Sequence, residues 1–364
     1  MKFVDEFRHT PTGKKLLENI ARHSTKPARL MEFCGGHTVA IFKYGIRQLL
    51  PPNIEMLSGP GCPVCVTATS DLDRVIALSR TPGIIITSFG DLLRVPSSHS
   101  SLQAARADGS DIRVVYSTLD ALDIARQNPD KKVVFVGIGF ETTAPTIAAS
   151  IVQARKEALK NYSVMSLHKV TPPVTKAILD SGEARLNGIV CPGHVTTIIG
   201  SDAWNFIPRD YGIACAVSGF EPLDILYCIS MLVEQIESGQ PKVETAYPRA
   251  VRPEGNPEAL RLLDEVFEVG PANWRGIGVV PGSGLSIRER YTDFDAEQSF
   301  CIQVSEEARE PKGCLCGEVL RGVKTPLDCK LFRKVCTPES PVGPCMVSSE
   351  GTCAAYYHYG DGGG

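Results

Sequence analysis

The stretch "KKVVFVGIGFETTAPTIAASI" (131–151) decides the fold class. Within it "VVFVGIGF" (133–140) is an uninterrupted apolar run, too short to span a membrane and suited to a buried strand. Gly-Phe-Glu-Thr-Thr interrupts the run, and the alanine-rich remainder reads as a helix. Strand, tight turn and helix together form the repeating unit of an α/β layer.

Outward from this stretch the unit recurs between about residues 80 and 240. "GIIIT", "IRVVYS", "YSVMSL", "NGIVC" and "GIACAVS" read as strands, and 119–128, 142–159, 172–181 and 222–237 as helices. The rhythm predicts largely parallel sheets, with sites collecting in the loops at the carboxyl ends of the strands. Two internal echoes point to duplicated architecture. "VGIGFETTAPTIAASI" (136–151) and "AVSGFEPLDILYCIS" (216–230) share strand, Gly-Phe-Glu, helix; "FCGGHTVAIF" (33–42) and "VCPGHVTTII" (190–199) share Cys-x-Gly-His before an apolar segment. The expectation is an α/β protein of two similar lobes with mainly parallel sheets, residues 1–118 and 119–240, followed by a third, cysteine-rich region over 241–364. The last residues, "GDGGG", are expected to fray.

The bulk composition excludes several classes. With 41 acidic against 38 basic residues the 364-residue chain has a net charge of −3 and no polybasic cluster, which argues against nucleic acid or a lipid surface as partner. Asp5 and Glu6 stand where a signal peptide needs an apolar run, so the expected location is cytoplasmic. The 13 cysteines are then expected to be reduced thiols engaged in metal or redox work rather than structural disulfides. No P-loop is present, and "GSGLS" (282–286) is a poor substitute.

Several motifs carry chemistry. Cys62-Pro-Val-Cys65 has the gap that lets two sulfurs face one another or share a metal, and "TATSDLDRVIALS" follows as a helix whose start would lower thiol pKa values. Redox pair, half of a metal site and buried packing pair all remain open on spacing alone. "CGGHT" (34–38) sets a thiolate and an imidazole three residues apart on a glycine turn, which could hold a transition metal or merely cap a loop. Cys191 and His194 repeat that spacing, either as a second half of the site or as inherited scaffold. Glu141 in "GFETT" is a candidate catalytic carboxylate, with helix capping by Thr142 or Thr143 as the alternative and the echoed Glu221 favouring structure. Cys314, Cys316, Cys329, Cys336, Cys345 and Cys353 fall within 40 residues and lack close Cys-x-x-Cys pairs, so an iron–sulfur cluster with a spare thiol pair fits better than structural zinc. Cys215, Cys228, Cys301, His99 and His168 read as packing residues.

"CGGHT" (34–38), "GPGCPVC" (59–65), "GFETTAP" (139–145), "CPGHV" (191–195) and "CMVSSEG" (345–351), in this order, resemble the HypD family of hydrogenase maturation proteins, over about residues 30–358. The resemblance implies a scaffold on which the Fe(CN)2CO centre of [NiFe]-hydrogenases is assembled, rather than a conventional turnover enzyme. It implies work in complex with a HypC-type chaperone, and cyanide received from HypE and HypF through transient contact with HypE. By the family pattern Cys314, Cys329, Cys336 and Cys353 would ligate a [4Fe-4S] cluster, and Cys316 and Cys345 would be a redox pair beside it. Cys34 would bind the iron, with a second sulfur from the chaperone, and His37 would orient the cargo or relay a proton. Cys62 and Cys65 would be a thiol/disulfide pair exchanging electrons with the assembling iron, and Glu350 a proton or polar contact. The competing expectations are a stand-alone, cluster-dependent thiol–disulfide oxidoreductase and a zinc-stabilised interaction protein.

Overall fold

The computed structural model describes residues 5–304 and 307–360; of the closing "GDGGG" (360–364), expected to fray, all but Gly360 lie outside the described residues. Eleven strands are described: β1 Ala28–Glu32, β2 Ile54–Ser58, β3 Ile84–Ser88, β4 Asp111–Val114, β5 Lys132–Gly137, β6 Tyr162–Ser166, β7 Gly188–Pro192, β8 Ala214–Ser218, β9 Val243–Thr245, β10 Phe267–Trp274 and β11 Gly278–Ile287. They form a five-stranded sheet in the order β2-β1-β7-β8-β9 and a four-stranded sheet in the order β4-β3-β5-β6, parallel throughout, with β10 and β11 as an antiparallel hairpin. The two parallel lobes and the cysteine-rich third region expected from the sequence are therefore present.

The lobes are not divided at residues 118 and 240. The four-stranded sheet is built wholly from residues 84–166, and the five-stranded one from 28–58 together with 188–245. The chain leaves the first sheet after β2, completes the second, and returns with β7 beside β1 through Leu30↔Gly188, Met31↔Ile189 and Glu32↔Val190. Both strands are buried on both faces, so each needs a neighbour on either side, and pairing them supplies it. Gly188 permits the join, because a Cβ there would meet Leu30 Cδ2 at 2.6 Å.

Each sheet carries one of the Gly-Phe-Glu turns, leading from β5 into helix Ala144–Lys156 and from β8 into helix Pro222–Ser238. The Cys-x-Gly-His echoes instead follow β1 and β7, neighbours in one sheet. Leu30, Val190 and Ala216 pack on Ile225, Ile229 and Leu232 of helix Pro222–Ser238 on one face, while Met31, Leu57, Ile189 and Val217 share a core with Ile86, Val134 and Val136 of the other sheet. Cys316, Leu320, Cys345 and Val347 enter that shared core, so the third region is seated on both lobes.

The hairpin was not legible as strands, because Pro271, Gly282 and Gly284 interrupt the alternation. A register shift between Gly270 and Ala272 absorbs Pro271. Cys301, expected to be a packing residue, is exposed, whereas Cys215 and Cys228 are buried.

Candidate functional site

At the β1/β7 boundary the five-stranded sheet reverses its winding direction, and the loops at the carboxyl ends of β1, β2, β7 and β8 converge there. These loops bring Cys34, Gly61-Cys62, His194 and Phe220. Cys34 is extended, with φ −153° and ψ 126°, and stands at the start of helix Gly35–Lys43. Its N–H donates to Oε2 of Glu32 at 2.8 Å, and the Thr38 hydroxyl donates to Oε1 of the same carboxylate. Burial pushes the Glu32 carboxyl up to about 8. Gly61 lies against this turn so closely that a Cβ would fall on the Cys34 backbone, and its carbonyl accepts the Gly35 N–H at 3.3 Å. On the other side a Cβ on Gly35 would meet Glu350 Cβ at 2.6 Å. The glycines of "CGGHT" and "GPGCPVC" thus let three distant segments close around one thiol.

The imidazole nearest the Cys34 sulfur is not His37 but His194, with Nδ1 at 3.8 Å and Nε2 at 3.9 Å. His37 is turned away: its Nε2 donates to the carbonyls of Gly219 at 2.9 Å and Ser218 at 3.2 Å, and its ring stacks on Phe220 at 4.7 Å. Phe220 also packs against His194 at 5.2 Å, so one phenyl ring holds both imidazoles. Burial, joined for His37 by the neighbouring His194, pulls both histidines down to about 4. Burial, with the Glu32 and Glu350 carboxylates adding to it, pushes the Cys34 thiol up. Cys191 does not join the site; its sulfur lies 3.4 Å from that of Cys215 within the core.

Cys62 starts a single turn, Pro63–Val66, and both thiols of the pair are buried, at 4% and 0% exposure. The Cys65 sulfur approaches the Pro344 carbonyl at 3.8 Å, which sets it against Cys345. Burial opposes ionisation of Cys65, but hydrogen bonds from Cys345 and Cys62 and the positive charge of Arg275 outweigh it and bring the thiol down to about 5. Cys62 moves the other way, raised by burial and by Cys65. The expectation that a helix start lowers both thiols is corrected on two counts: only Cys65 is lowered, and neighbouring thiols and an arginine do it. Arg275 is buried, donates to Glu310 at 2.8 Å and to the Pro96 carbonyl at 3.3 Å, and is joined to the motif by its N–H to the Val66 carbonyl.

Beyond Cys65 the thiols continue. Cys345 stands 2.7 Å from Cys316 and within hydrogen-bonding reach of Cys353. All six C-terminal cysteines line one small apolar cavity walled also by Leu331, Phe332 and Met346. A Cβ on Gly343 would meet the Cys314 sulfur at 2.6 Å, so the glycine leaves that sulfur its room. Burial pushes Cys314 up to about 12. The cysteines surround the cavity instead of converging on a point, and among the described residues no three His, Cys, Asp or Glu side chains are grouped to hold a single metal ion. All 13 cysteines are free thiols.

Glu141 belongs to the scaffold. Its buried carboxylate accepts the Thr171 N–H at 2.7 Å and the Thr171 hydroxyl at 2.8 Å, capping helix Thr171–Ser181 from another loop. Neither expected capping threonine serves: the Thr143 hydroxyl donates to the Phe140 carbonyl instead. Glu221 caps its own helix, Pro222–Ser238. His168 is buried as expected, with Nδ1 3.0 Å from the Ser166 hydroxyl. Sequence reasoning did not single out Glu32, Phe220 or Arg275 and left the role of His194 open; for His194 the signal was the repeated Cys-x-Gly-His, whose histidine returns to the site while its cysteine does not.

Fold and site define a class: a thiol-rich α/β protein with a buried series of cysteines running from a C-terminal cavity to the mouth of a parallel sheet. Residues 12–360 match the HypD family, described as the hydrogenase formation hypA family. A hydrogenase maturation factor HypD of Azotobacter vinelandii is 49% identical over 369 residues, covering 99% of this chain and 97% of its own. One of Rhodobacter capsulatus is 46% identical, covering 99% and 98%, and a putative hydrogenase expression/formation protein of Methanocaldococcus jannaschii 44%, covering 95% and 96%. The chain belongs to the HypD family of hydrogenase maturation factors. Among the described residues no helix is long and apolar enough to cross a membrane.

Proposed function

We propose that this hydrogenase maturation factor is the scaffold on which the iron of [NiFe]-hydrogenases acquires its diatomic ligands. The iron is cargo, held by Cys34 together with a sulfur of a HypC-type chaperone, and cyanide arrives through transient contact with HypE. The observation that carries this reading is the unbroken neighbourhood of thiols, Cys316 to Cys345 to Cys65 to Cys62, ending where Gly61 touches Cys34.

Cys314, Cys329, Cys336 and Cys353 would hold a [4Fe-4S] cluster. The donor set fits: thiols spread around the wall of an apolar cavity suit a multi-iron core, whose positive charge would drive off the protons that burial otherwise retains. When bound, the cluster supplies single electrons. The chain's own thiols then exchange pairs of them. Cys65, the thiol held low, and Cys345 form the mixed disulfide common to both directions; the remaining thiol of the electron-donating dithiol then attacks its own partner in that mixed disulfide and releases the other sulfur as a thiol, which completes a swap of one dithiol for one disulfide. Glu350, an exposed residue whose carboxyl is raised by partial desolvation and then by the neighbouring Cys65, would accept a proton released in that swap.

A stand-alone oxidoreductase must present a sulfur to the disulfide of another protein, and the burial of Cys62 and Cys65 weighs against it. The deciding experiment is infrared spectroscopy of the protein purified anaerobically with its chaperone. Cyanide and carbon monoxide stretches should be present in the parent and lost in Cys34→Ala. A parent with no such bands but an intact visible chromophore would overturn the scaffold reading.

A further inference from the structure

The cysteine cavity comes close to the surface beside Cys329. Cys314, Cys329 and Cys353 are half-buried, while Cys316, Cys336 and Cys345 are buried. The Cys329 sulfur points to the Gly313 carbonyl at 3.7 Å, and Gly313 also faces Leu331, so the loop bearing Lys312 lies beside the loop bearing Lys330 and Lys334. All three lysines are exposed, and among the described residues none forms an ion pair.

The charge here runs against the rest of the molecule. Residues 321–335, "RGVKTPLDCKLFRKV", hold five basic residues and one acid in a chain whose net charge is −3. Of these, Arg321 pairs with Glu183 at 2.9 Å, and the acid, Asp328, is occupied by the Thr325 N–H at 2.8 Å and hydroxyl at 3.0 Å. Along the same stretch stand two aliphatic side chains with no reason to face water, Leu327 at 67% and Val335 at 58% exposure. Exposed apolar side chains beside cations that outnumber the acids are the form of a brief, electrostatically steered protein encounter.

We propose that this surface over Cys329 docks an acidic one-electron carrier protein, which reduces the group held in the cavity. The proposal rests on reading that cavity as a cluster site. The carrier is a protein rather than a nucleic acid or a membrane, because the cations flank apolar side chains within a span of a few residues and do not extend into a stripe. Electron-transfer partners need only a small contact, and this patch is small. Each docking moves one electron inward and leaves the carrier oxidised by one. Two dockings and two protons from solvent convert one buried disulfide of the thiol series into two thiols.

The test uses the full chain purified anaerobically, with a plant-type [2Fe–2S] ferredoxin as the acidic probe. Association should be measurable at low ionic strength and weaken as salt is added. In the triple variant K312E/K330E/K334E it should fall about tenfold or more. The rate at which reduced ferredoxin bleaches the visible absorbance should fall in parallel, while bleaching by dithionite, which needs no docking surface, stays at the parental rate. Association that is absent, salt-independent or unchanged in the triple variant overturns the proposal. So does charge-dependent binding to phosphatidylserine vesicles in place of ferredoxin. A colourless preparation is recognised before any carrier is added and defeats the cluster reading itself; a coloured one without charge-dependent association defeats only the docking site.

Discussion

The Cys34 sulfur stands 3.8 Å from Nδ1 of His194, a residue 160 positions further along the chain. The pairing is a product of the sheet order: β1 and β7 lie side by side, and each ends in a loop that starts a helix with a histidine in its first turn. Held neutral by burial, His194 can accept the Cys34 proton's hydrogen bond or present a nitrogen to what the thiolate binds. His194→Ala is therefore expected to weaken the hold of the protein–chaperone complex on the cargo iron by about 10–100-fold in affinity, the usual cost of removing a group that orients or assists a metal ligand. The intensity of the cyanide stretches, which the cluster irons do not share, measures the cargo iron retained. Parental intensity in the variant would reduce the contact to packing.

Replacing Cys62 or Cys65 with Ala is expected to abolish maturation and leave the visible absorbance of the C-terminal chromophore intact. Both thiols sit outside the cavity wall, so neither is needed to fill it. The two variants should differ in stability: Cys65 is fully buried against Cys345 and Pro344, and its replacement leaves a small void there. Loss of the chromophore in either variant would mean that the pair ligates it.

Most strands and helices from residue 80 to 240 were legible because a parallel strand buried on both faces is a continuous apolar run that little else imitates. The division into lobes was not. Nothing in "ARLME" (28–32) or "IEMLS" (54–58) states that β7, far along the chain, will lie beside β1, since pairing across a whole inserted sheet is set by which faces remain to be covered. At the site, cysteines were easy to nominate because six fall within 40 residues of the C-terminal region. Their partners were harder. Glu32 reads as the end of a strand, Arg275 as one cation in a glycine-rich hairpin and Phe220 as part of a turn; each acquires its role only by burial beside a thiol or an imidazole. His37 directs Nε2 to the carbonyls of Gly219 and Ser218, so nearness to Cys34 in sequence did not reveal which imidazole lies against the sulfur.

Glu141 separates a recurring motif from a chemical one. Its carboxylate satisfies the first N–H and the hydroxyl of Thr171, and no cysteine of the site touches it. Glu141→Ala strands both donors in the interior and should cost about 1–3 kcal/mol, read as a shift in the urea midpoint. Maturation by the protein that remains folded should be retained. Loss of maturation at parental stability would assign Glu141 a chemical role instead.

The buried histidines make stability fall on the acid side. His168 has an unfolded value near 6.5 and is lowered in the fold to about 3, first by burial and then by the charge of Lys169. Below pH 6.5 the unfolded chain therefore binds a proton that the folded chain refuses. The stability His168 contributes is present above that pH and is lost as pH falls toward 3, at up to about 1.4 kcal/mol per unit. His37 and His194 act in the same direction, while Glu32 and Glu141, raised by burial, act in the opposite one. All four are shared by parent and His168→Gln, so they cancel when the stability of one is subtracted from that of the other. Urea unfolding at a series of pH values should show the parent losing ground to the variant steadily below pH 6.5 and holding a constant offset above it. A difference that does not change with pH would mean that His168 takes up its proton in the folded protein as readily as in water.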